Sequence, residues 1–345
     1  EQRRRLAPKL RDEVVTLAHG AGGKSTHVLV EALFLPELGS PELAPLADAG
    51  LFAADGARLA FSTDSYVVKP LFFPGGDIGE LAVNGTVNDL AMAGARPLHL
   101  SAAFVVEEGF PTADLRRIAA SMGAAARAAG VTIAAGDTKV VERGKGDGVF
   151  VCTSGVGVVE RELELSPAAL RPGDRIVVSG TLGDHGMAIM VARGNLELEV
   201  ELESDTAPLA ELCERLLDSG AEVRWLRDPT RGGLATVLNE LALAAEAAIV
   251  LEEAALPVRG EVNAACEILG IDPLYVASEG RLVAAVAPAG VDAALAALRA
   301  HPLGRDAAAV GRVEADPPGM VLLDTAFGGR RIVDMLVGDP LPRIC

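Results

Sequence analysis

Aromatic side chains are scarce: Phe, Trp and Tyr make up 3% of the 345 residues, although half the chain is hydrophobic. The apolar content therefore rests on Ala, Val, Leu and Ile, which suits helices packed on sheets and excludes disorder, collagen and coiled coil. Long apolar runs are also missing. The longest stretch free of Asp, Glu, Lys and Arg is the twelve residues from Gly148 to Val159, well short of the roughly 20 that a membrane-spanning helix needs. Positive charge is in deficit, with 31 basic against 48 acidic residues and a net charge of −17. Such a chain repels a polyanion, so nucleic acid is not an expected partner. The one basic cluster, Arg3, Arg4, Arg5, Lys9 and Arg11, is followed by Asp12 and Glu13. A targeting peptide would continue into an apolar core, so residues 1–13 read as a flexible, solvated N-terminus and the cytoplasm is the expected compartment.

Cysteine and histidine are few and badly spaced for metal. Cys152, Cys213, Cys266 and Cys345 form no Cys-x-x-Cys pair, and the five histidines show no His-x-x-x-His spacing. Zinc and a disulfide framework are disfavoured, and any metal is expected on oxygen. Cys152, in a strand pattern, and Cys213 and Cys266, in helical patterns, read as buried and inert thiols.

Strand patterns occur at Arg58–Val68 and Leu98–Glu107, with helical spacing at Ile78–Gly94 and Thr112–Gly130 and further strands at Val131–Val140 and Val149–Val159. Arg161–Gly173, with two prolines and alternating charge, reads as a linker. A second succession follows: strand Arg175–Ser179, helices Asp184–Arg193, Thr206–Ser219 and Pro229–Ala247, and strands Ala248–Glu252, Arg281–Ala287 and Met320–Asp324. The fold class is α/β in α+β layers: two domains, each a mixed sheet covered by helices, at 14–160 and 174–329. Residues 330–345 read as an extended, mobile tail outside the core, because Pro340 and Pro342 disfavour helix.

Four features carry possible chemistry. His19-Gly-Ala-Gly-Gly-Lys-Ser-Thr26 nearly fits a Walker A loop but has Ala18 at its first glycine; it is either a phosphate cradle or a glycine turn before a helix. Aspartates beside Gly, Asn or Thr stand near predicted element ends: Asp64, Asn88-Asp89, Gly136-Asp-Thr-Lys139 and Asp228-Pro-Thr-Arg-Gly-Gly233. Carboxylates are the hard ligands that Mg²⁺ shares with phosphate oxygens, yet Asp also caps helices, as Asp228 before Pro229 would. Lys24 and Lys139 are two of only five lysines, in a chain that otherwise uses Arg; a compact ammonium suits phosphate contact or proton transfer, and chance composition is the rival reading. Cys345 ends a sixteen-residue segment that reaches about 50 Å at roughly 3.3 Å per residue. It is either a thiol on a tether or an unremarkable mobile end.

Together, His19-Gly-Ala-Gly-Gly, Phe61-Ser-Thr-Asp-Ser-Tyr-Val-Val, Pro74-Gly-Gly-Asp-Ile-Gly-Glu-Leu-Ala-Val-Asn-Gly-Thr-Val-Asn-Asp-Leu-Ala, Gly136-Asp-Thr-Lys-Val-Val, Arg227-Asp-Pro-Thr-Arg-Gly-Gly and the terminal Pro342-Arg-Ile-Cys resemble the HypE family of hydrogenase maturation factors. The resemblance runs from about Val14 to Cys345. The aspartate segments are shared with aminoimidazole ribonucleotide synthetase, selenophosphate synthetase and thiamine monophosphate kinase, whereas the Cys-terminated tail is particular to the family. The resemblance implies an ATP-dependent carbamoyl dehydratase: Cys345 takes a carbamoyl group from HypF, the thiocarboxamide becomes a thiocyanate, and the cyanide passes to iron on HypC and HypD for a NiFe hydrogenase. It implies ATP with Mg²⁺ on Asp64, Asp89, Asp137 and Asp228, nucleotide contacts from Gly22, Gly23, Lys24, Asn88, Thr138 and Gly232, and proton handling by Lys139 and Glu279. Asp77 looks less essential, and Ser278 stands before Glu279 where the family pattern has Asn. The implied assembly is a homodimer through strands of the first domain. The alternatives are a small-molecule kinase or synthetase of the same superfamily, for which Cys345 would be dispensable, and a nucleotide-binding scaffold without turnover. Selenophosphate synthesis is disfavoured because no Cys lies near the glycine-rich loop.

Overall fold

The computed structural model describes residues 9–194, 201–338 and 341–345; the first eight residues of the expected N-terminal arm, and Pro340, lie outside them. Short helices α1 (Lys24–Leu29) and α2 (Leu35–Leu38) precede strands β1 (Gly50–Ala54) and β2 (Ala57–Tyr66). A small ribbon, β3 (Phe72–Phe73) with β4 (Gly76–Asp77), leads into α3 (Ile78–Met92). Then come β5 (Arg96–Glu107), α4 (Thr112–Ala128), β6 (Thr132–Val141) and β7 (Val149–Val158). The long strands form a five-stranded sheet in the order β1-β2-β7-β5-β6. Only β5 and β6 run parallel, because α4 carries the chain back between them.

Helix α3 positions the site. The Asp77 carboxylate caps it, accepting from the Gly79 and Glu80 amides at 2.8 and 3.1 Å and from Ser121 Oγ at 2.5 Å, which gives Asp77 a structural task. Every residue of α3 except Glu80 and Asp89 is buried. A helix enclosed on all sides needs small residues where neighbours press closest, and a Cβ at Gly85 would overlap the Tyr66 hydroxyl of β2. One side of α3 meets the first sheet and α4, while Ala91 and Met92 pack with Leu209, Leu212 and Leu216 of the second half.

The second half runs β8 (Arg175–Val178), α5 (Asp184–Ala192), α6 (Ala210–Leu217), β9 (Val223–Arg227), α7 (Gly233–Ala245), β10 (Ala248–Glu252), α8 (Gly260–Leu269), β11 (Val283–Val286), α9 (Val291–Arg299), β12 (Ala308–Glu314), β13 (Met320–Asp324) and β14 (Arg330–Val333). Its seven-stranded mixed sheet has the order β14-β13-β10-β12-β8-β11-β9. Strands β9 and β12 and helices α8 and α9 add to the elements read from the sequence. The helix expected from Pro229 starts instead at Gly233, because Gly232 at φ 76° is a left-handed cap; Asp228 therefore caps nothing. The stretch read as a linker is pinned down, with Arg161 on Asp218 at 2.8 Å and the Ser166 amide on Arg224 O at 2.9 Å.

The tail reading needs correction. Arg330–Val333 forms the edge strand β14 on β13, and Leu341 and Ile344 are buried in the cluster that holds Tyr66, Met187 and Val276. Apolar side chains at Leu341 and Ile344 give the segment a reason to pack that the prolines alone did not disclose.

Asn88 ties the halves together. Its Nδ2 donates to Ala207 O and Glu279 O, both at 3.1 Å, and its Oδ1 accepts from the Leu209 amide at 2.7 Å. With its amide occupied by the protein itself, it is not available to a nucleotide. Replacing it by Ala strands three buried backbone groups, so Asn88→Ala should lower unfolding stability by about 2–4 kcal/mol. Urea denaturation checks this, and a loss below about 1 kcal/mol would remove the amide from its bridging role.

Candidate active site

Period-two alternation on β2 turns Ser62, Asp64 and Tyr66 towards α3 while Phe61, Thr63 and Ser65 face outwards. Ser62 Oγ donates to Asp89 Oδ2 at 2.6 Å, and the Tyr66 hydroxyl donates to Asp64 Oδ2 at 3.3 Å. Asp228 follows the end of β9, and Asp48 arrives from the loop before β1, held by Arg227 at 2.5 Å. Oxygens of Asp48, Asp89 and Asp228 all lie within 4.8 Å of one another.

Three carboxylates this close repel. Burial, reinforced by the neighbouring charges, pushes Asp89 and Asp228 well above the usual carboxylate range. Asp48 is raised to about 6, burial outweighing the attraction of Arg227. The donor set is hard, anionic and drawn from three separate elements, which fits a divalent cation such as Mg²⁺. Asp64 stands beside this trio and contributes to the upward shift of both Asp89 and Asp228.

Glu279 is 3% exposed, and its Oε1 has no hydrogen-bond partner. Burial first, then Asp228 and Asp205, raises its pKa well above the usual range. An orphaned buried carboxyl oxygen beside a carboxylate cluster is a place for a polar group to be received. The Ser278 departure from the family pattern has a local use: its Oγ accepts the Gly183 amide at 2.9 Å.

Cys345 borders a cavity of about 60 Å³ lined with Gly20, Ala21, Ser65, Arg231, Gly232 and Tyr275. Arg231 is raised chiefly by the charge of Cys345, with Asp64 and Glu279 adding to it. Tyr66 is raised by burial, then by Asp64, Glu279, Asp89 and Cys345. The terminal residue and the carboxylates thus share one electrostatic environment.

The glycine-rich loop sits at the same place in a different role. A Cβ at Gly22 would lie 2.7 Å from Arg231 Cβ, and one at Gly23 would lie 2.5 Å from Leu336 O. The loop is therefore pressed against Arg231 and the C-terminal segment, while Lys24 is exposed. Asp137, Thr138 and Lys139 are not brought to the cluster within one chain. They stand on the exposed edge strand β6, where Lys139 Nζ meets Asp137 at 2.8 Å and the Thr138 amide meets Asp137 Oδ1 at 2.9 Å. That lysine contact holds Asp137 below the usual range. Cys213 and Cys266 are buried, and burial raises them to about 12 and about 11. Cys152 is only half-buried, because it lies on the outward face of β7.

Sequence reasoning missed Asp48, Tyr66 and Arg231 as site residues. Tyr66 and Arg231 lie inside segments already singled out, but Asp48 is flanked by Ala47 and Ala49 and carries no turn signal.

Residues 46–159 match the family described as AIR synthase related protein, N-terminal domain, and residues 171–323 match its C-terminal domain. The chain is 56% identical over 337 residues to a Bradyrhizobium diazoefficiens protein named carbamoyl dehydratase HypE, covering 97% of each. Among solved structures, it resembles HypE in a HypE–HypF complex (TM-score 0.85, 46% identity, 89% of this chain and 99% of that one). It also resembles HypE in complex with ATP (TM-score 0.81, 47% identity, 96% and 100%).

Raised carboxylate pKa values mean that the folded protein holds more protons than the unfolded chain, so stability is fully present below about pH 4 and falls as pH rises through the folded values. In chelator at about pH 8, Asp228→Asn should melt about 2–4 °C above wild type, and at about pH 4 the two should nearly coincide. Thermal unfolding at the two pH values measures this. A wild-type advantage at the higher pH would mean that the carboxylates are not in mutual repulsion.

Proposed function

The chain belongs to the HypE family within the AIR synthase related proteins, and from that premise we propose that Cys345 carries a carbamoyl group which this enzyme dehydrates with ATP to a thiocyanate. The observation that carries this reading is the seat of Cys345: it lines one cavity with Ser65 and Arg231, its carbonyl accepts from the Val67 amide at 3.1 Å, and Tyr66 next to Ser65 donates to Asp64 at 3.3 Å. A small-molecule kinase would leave that seat without work.

The reaction removes one water from S–C(=O)–NH₂. The amide oxygen attacks the γ-phosphorus, the bond from that phosphorus to the bridging oxygen of ADP breaks, and ADP departs. Both N–H protons are lost, the C–O bond breaks with phosphate as the leaving group, and S–C≡N remains. Phosphorylation is needed because an amide oxygen is otherwise a poor leaving group. Glu279 takes one amide proton, and the second leaves with the departing phosphate. A carboxylate of raised pKa is a stronger base once ionised, and its unpaired Oε1 is free to face the amide nitrogen. Asp48, Asp89 and Asp228, with Asp64 beside them, would hold Mg²⁺, which when bound neutralises charge on the triphosphate.

Lys139, Asp137 and Thr138 reach a site from a second copy of the chain. Edge strand β6 and the outward face of its sheet expose Phe52, Phe61, Val105 and Ile133, an apolar surface that a homodimer covers. HypF supplies the carbamoyl group, and HypC with HypD takes the cyanide onto iron for a NiFe hydrogenase. The compartment we propose is the cytoplasm, on the reading of the N-terminal charge pattern; separately, among the described residues no helix is long and apolar enough to cross a membrane.

Intact mass gives the direct check. HypF with carbamoyl phosphate and ATP should add one carbamoyl group to the C-terminal peptide, and Mg-ATP should then remove one water from it. Cys345→Ala should bind ATP and show neither change; modification of Cys152, Cys213 or Cys266 would refute the assignment. Shared sites have a second signature. Lys139→Ala and Glu279→Ala should each be inactive, yet mixed dimers of the two should recover about a quarter of wild-type dehydration, since half the dimers then hold one complete site. No recovery in dimers shown to have mixed would place Lys139 in the site of its own chain.

A further inference from the structure

The last four residues are held by every one of their backbone carbonyls. Pro342 O accepts from Arg193 Nη2 at 2.5 Å, and Arg343 O accepts from the same nitrogen at 2.6 Å and from the Lys69 amide at 3.1 Å. Ile344 O lies 2.6 Å from His185 Nε2, and Cys345 O accepts from the Val67 amide at 3.1 Å. Two of the three anchoring elements are the ends of α5: His185 in its first turn and Arg193 just past its last residue.

The tautomer of His185 follows from its partners. A carbonyl only accepts, so Nε2 carries the proton. Nδ1 lies 2.8 Å from Ser204 Oγ, which already accepts from the Thr206 amide at 3.1 Å and so turns its hydrogen towards the ring. The chain of donation runs from the Thr206 amide through the Ser204 hydroxyl and the imidazole to Ile344 O. The ring is fully buried, stands edge-on to Phe73 at 5.7 Å, and is kept neutral by burial, which lowers its pKa to about 4. Opposing this hold, Arg343 has φ 56°, a left-handed conformation that a non-glycine residue resists.

We propose that His185 and Arg193 are positioning residues that clamp the C-terminal carbonyls and so place the Cys345 sulfur for dehydration. The inference rests on the dehydratase reading above. Accepting a carbamoyl group from another protein needs the segment out, whereas dehydration needs it in. Weakening the clamp should therefore slow only the second half-reaction.

Three measurements test this. In Arg193→Met, which keeps the apolar stem, carboxypeptidase should release Cys345 roughly tenfold faster than in wild type, followed by intact mass. Dehydration of the pre-carbamoylated variant in a single turnover should be roughly tenfold slower, and carbamoyl transfer from HypF should be no slower. His185→Phe should behave likewise, and His185→Gln, which returns a donor at the ε position, should recover most of the loss. Unchanged carboxypeptidase release and dehydration in Arg193→Met would overturn the proposal. Equal slowing of both half-reactions would overturn it too, by reducing the two residues to general support. If wild type itself fails to dehydrate, the dehydratase reading falls, while the carboxypeptidase ratio still reports on the clamp.

Discussion

A helix that touches protein on every side needs fixed partners for its polar side chains, and α3 finds them in both directions, with Asn84 Oδ1 its one buried side-chain atom left unpaired among the described residues. Asn88 reaches the second half of the chain with both ends of its amide, while Asn84 Nδ2 donates to Thr206 Oγ1 at 3.2 Å. Thr86 shares a hydroxyl contact of 2.7 Å with Thr153 of the first sheet. Pairing of this kind is specific, because an unpaired amide in such a place costs more than the paired one contributes. The register between the halves is thereby set, and with it the distance between Asp89 on α3 and Asp228 at the end of β9.

The site inherits its tension from that register. Asp48, Asp89 and Asp228 are pushed together by packing that none of them stabilises while charged, and among the described residues Arg227 is the cation paired with the cluster, through Asp48. Such a site stores unfavourable electrostatics that a bound cation would offset, which would link ligand binding to folding stability. Glu279 belongs to the same economy of charge: its backbone is fixed by Asn88 and by Asp205, whose Oδ1 accepts the Glu279 amide at 2.9 Å, while its Oε1 is left without a partner among the described residues.

Much of this was legible in the residues, and the failures have physical reasons. Asp64 was singled out by its place near an element end, and β2, α3, β5, α4, β6 and β7 lie within about two residues of the segments read from the sequence. Asp48 was invisible because a residue between two alanines gains its role only from Arg227, far along the chain. Asn88 looked like a ligand because it precedes Asp89, yet neighbours on a helix point about 100° apart, one to the second domain and one to the cluster. Asp137 and Lys139 were read beside the others because sequence segments carry no record of which sheet edge they occupy. Prolines in the C-terminal segment were read as a sign of an unpacked end, whereas the local rule they obey says nothing about tertiary burial of Leu341 and Ile344.

Strand β14 has a geometric consequence. Because Arg330–Val333 is hydrogen-bonded to β13, the sequence has twelve residues rather than sixteen beyond its last sheet anchor. Their fully extended reach is about 40 Å rather than about 50 Å, which cuts the spherical search volume of the terminal sulfur to roughly two-fifths. A shorter arm keeps its thiol at a higher effective concentration near its own chain, and any partner that engages that thiol would have to come inside the smaller sphere.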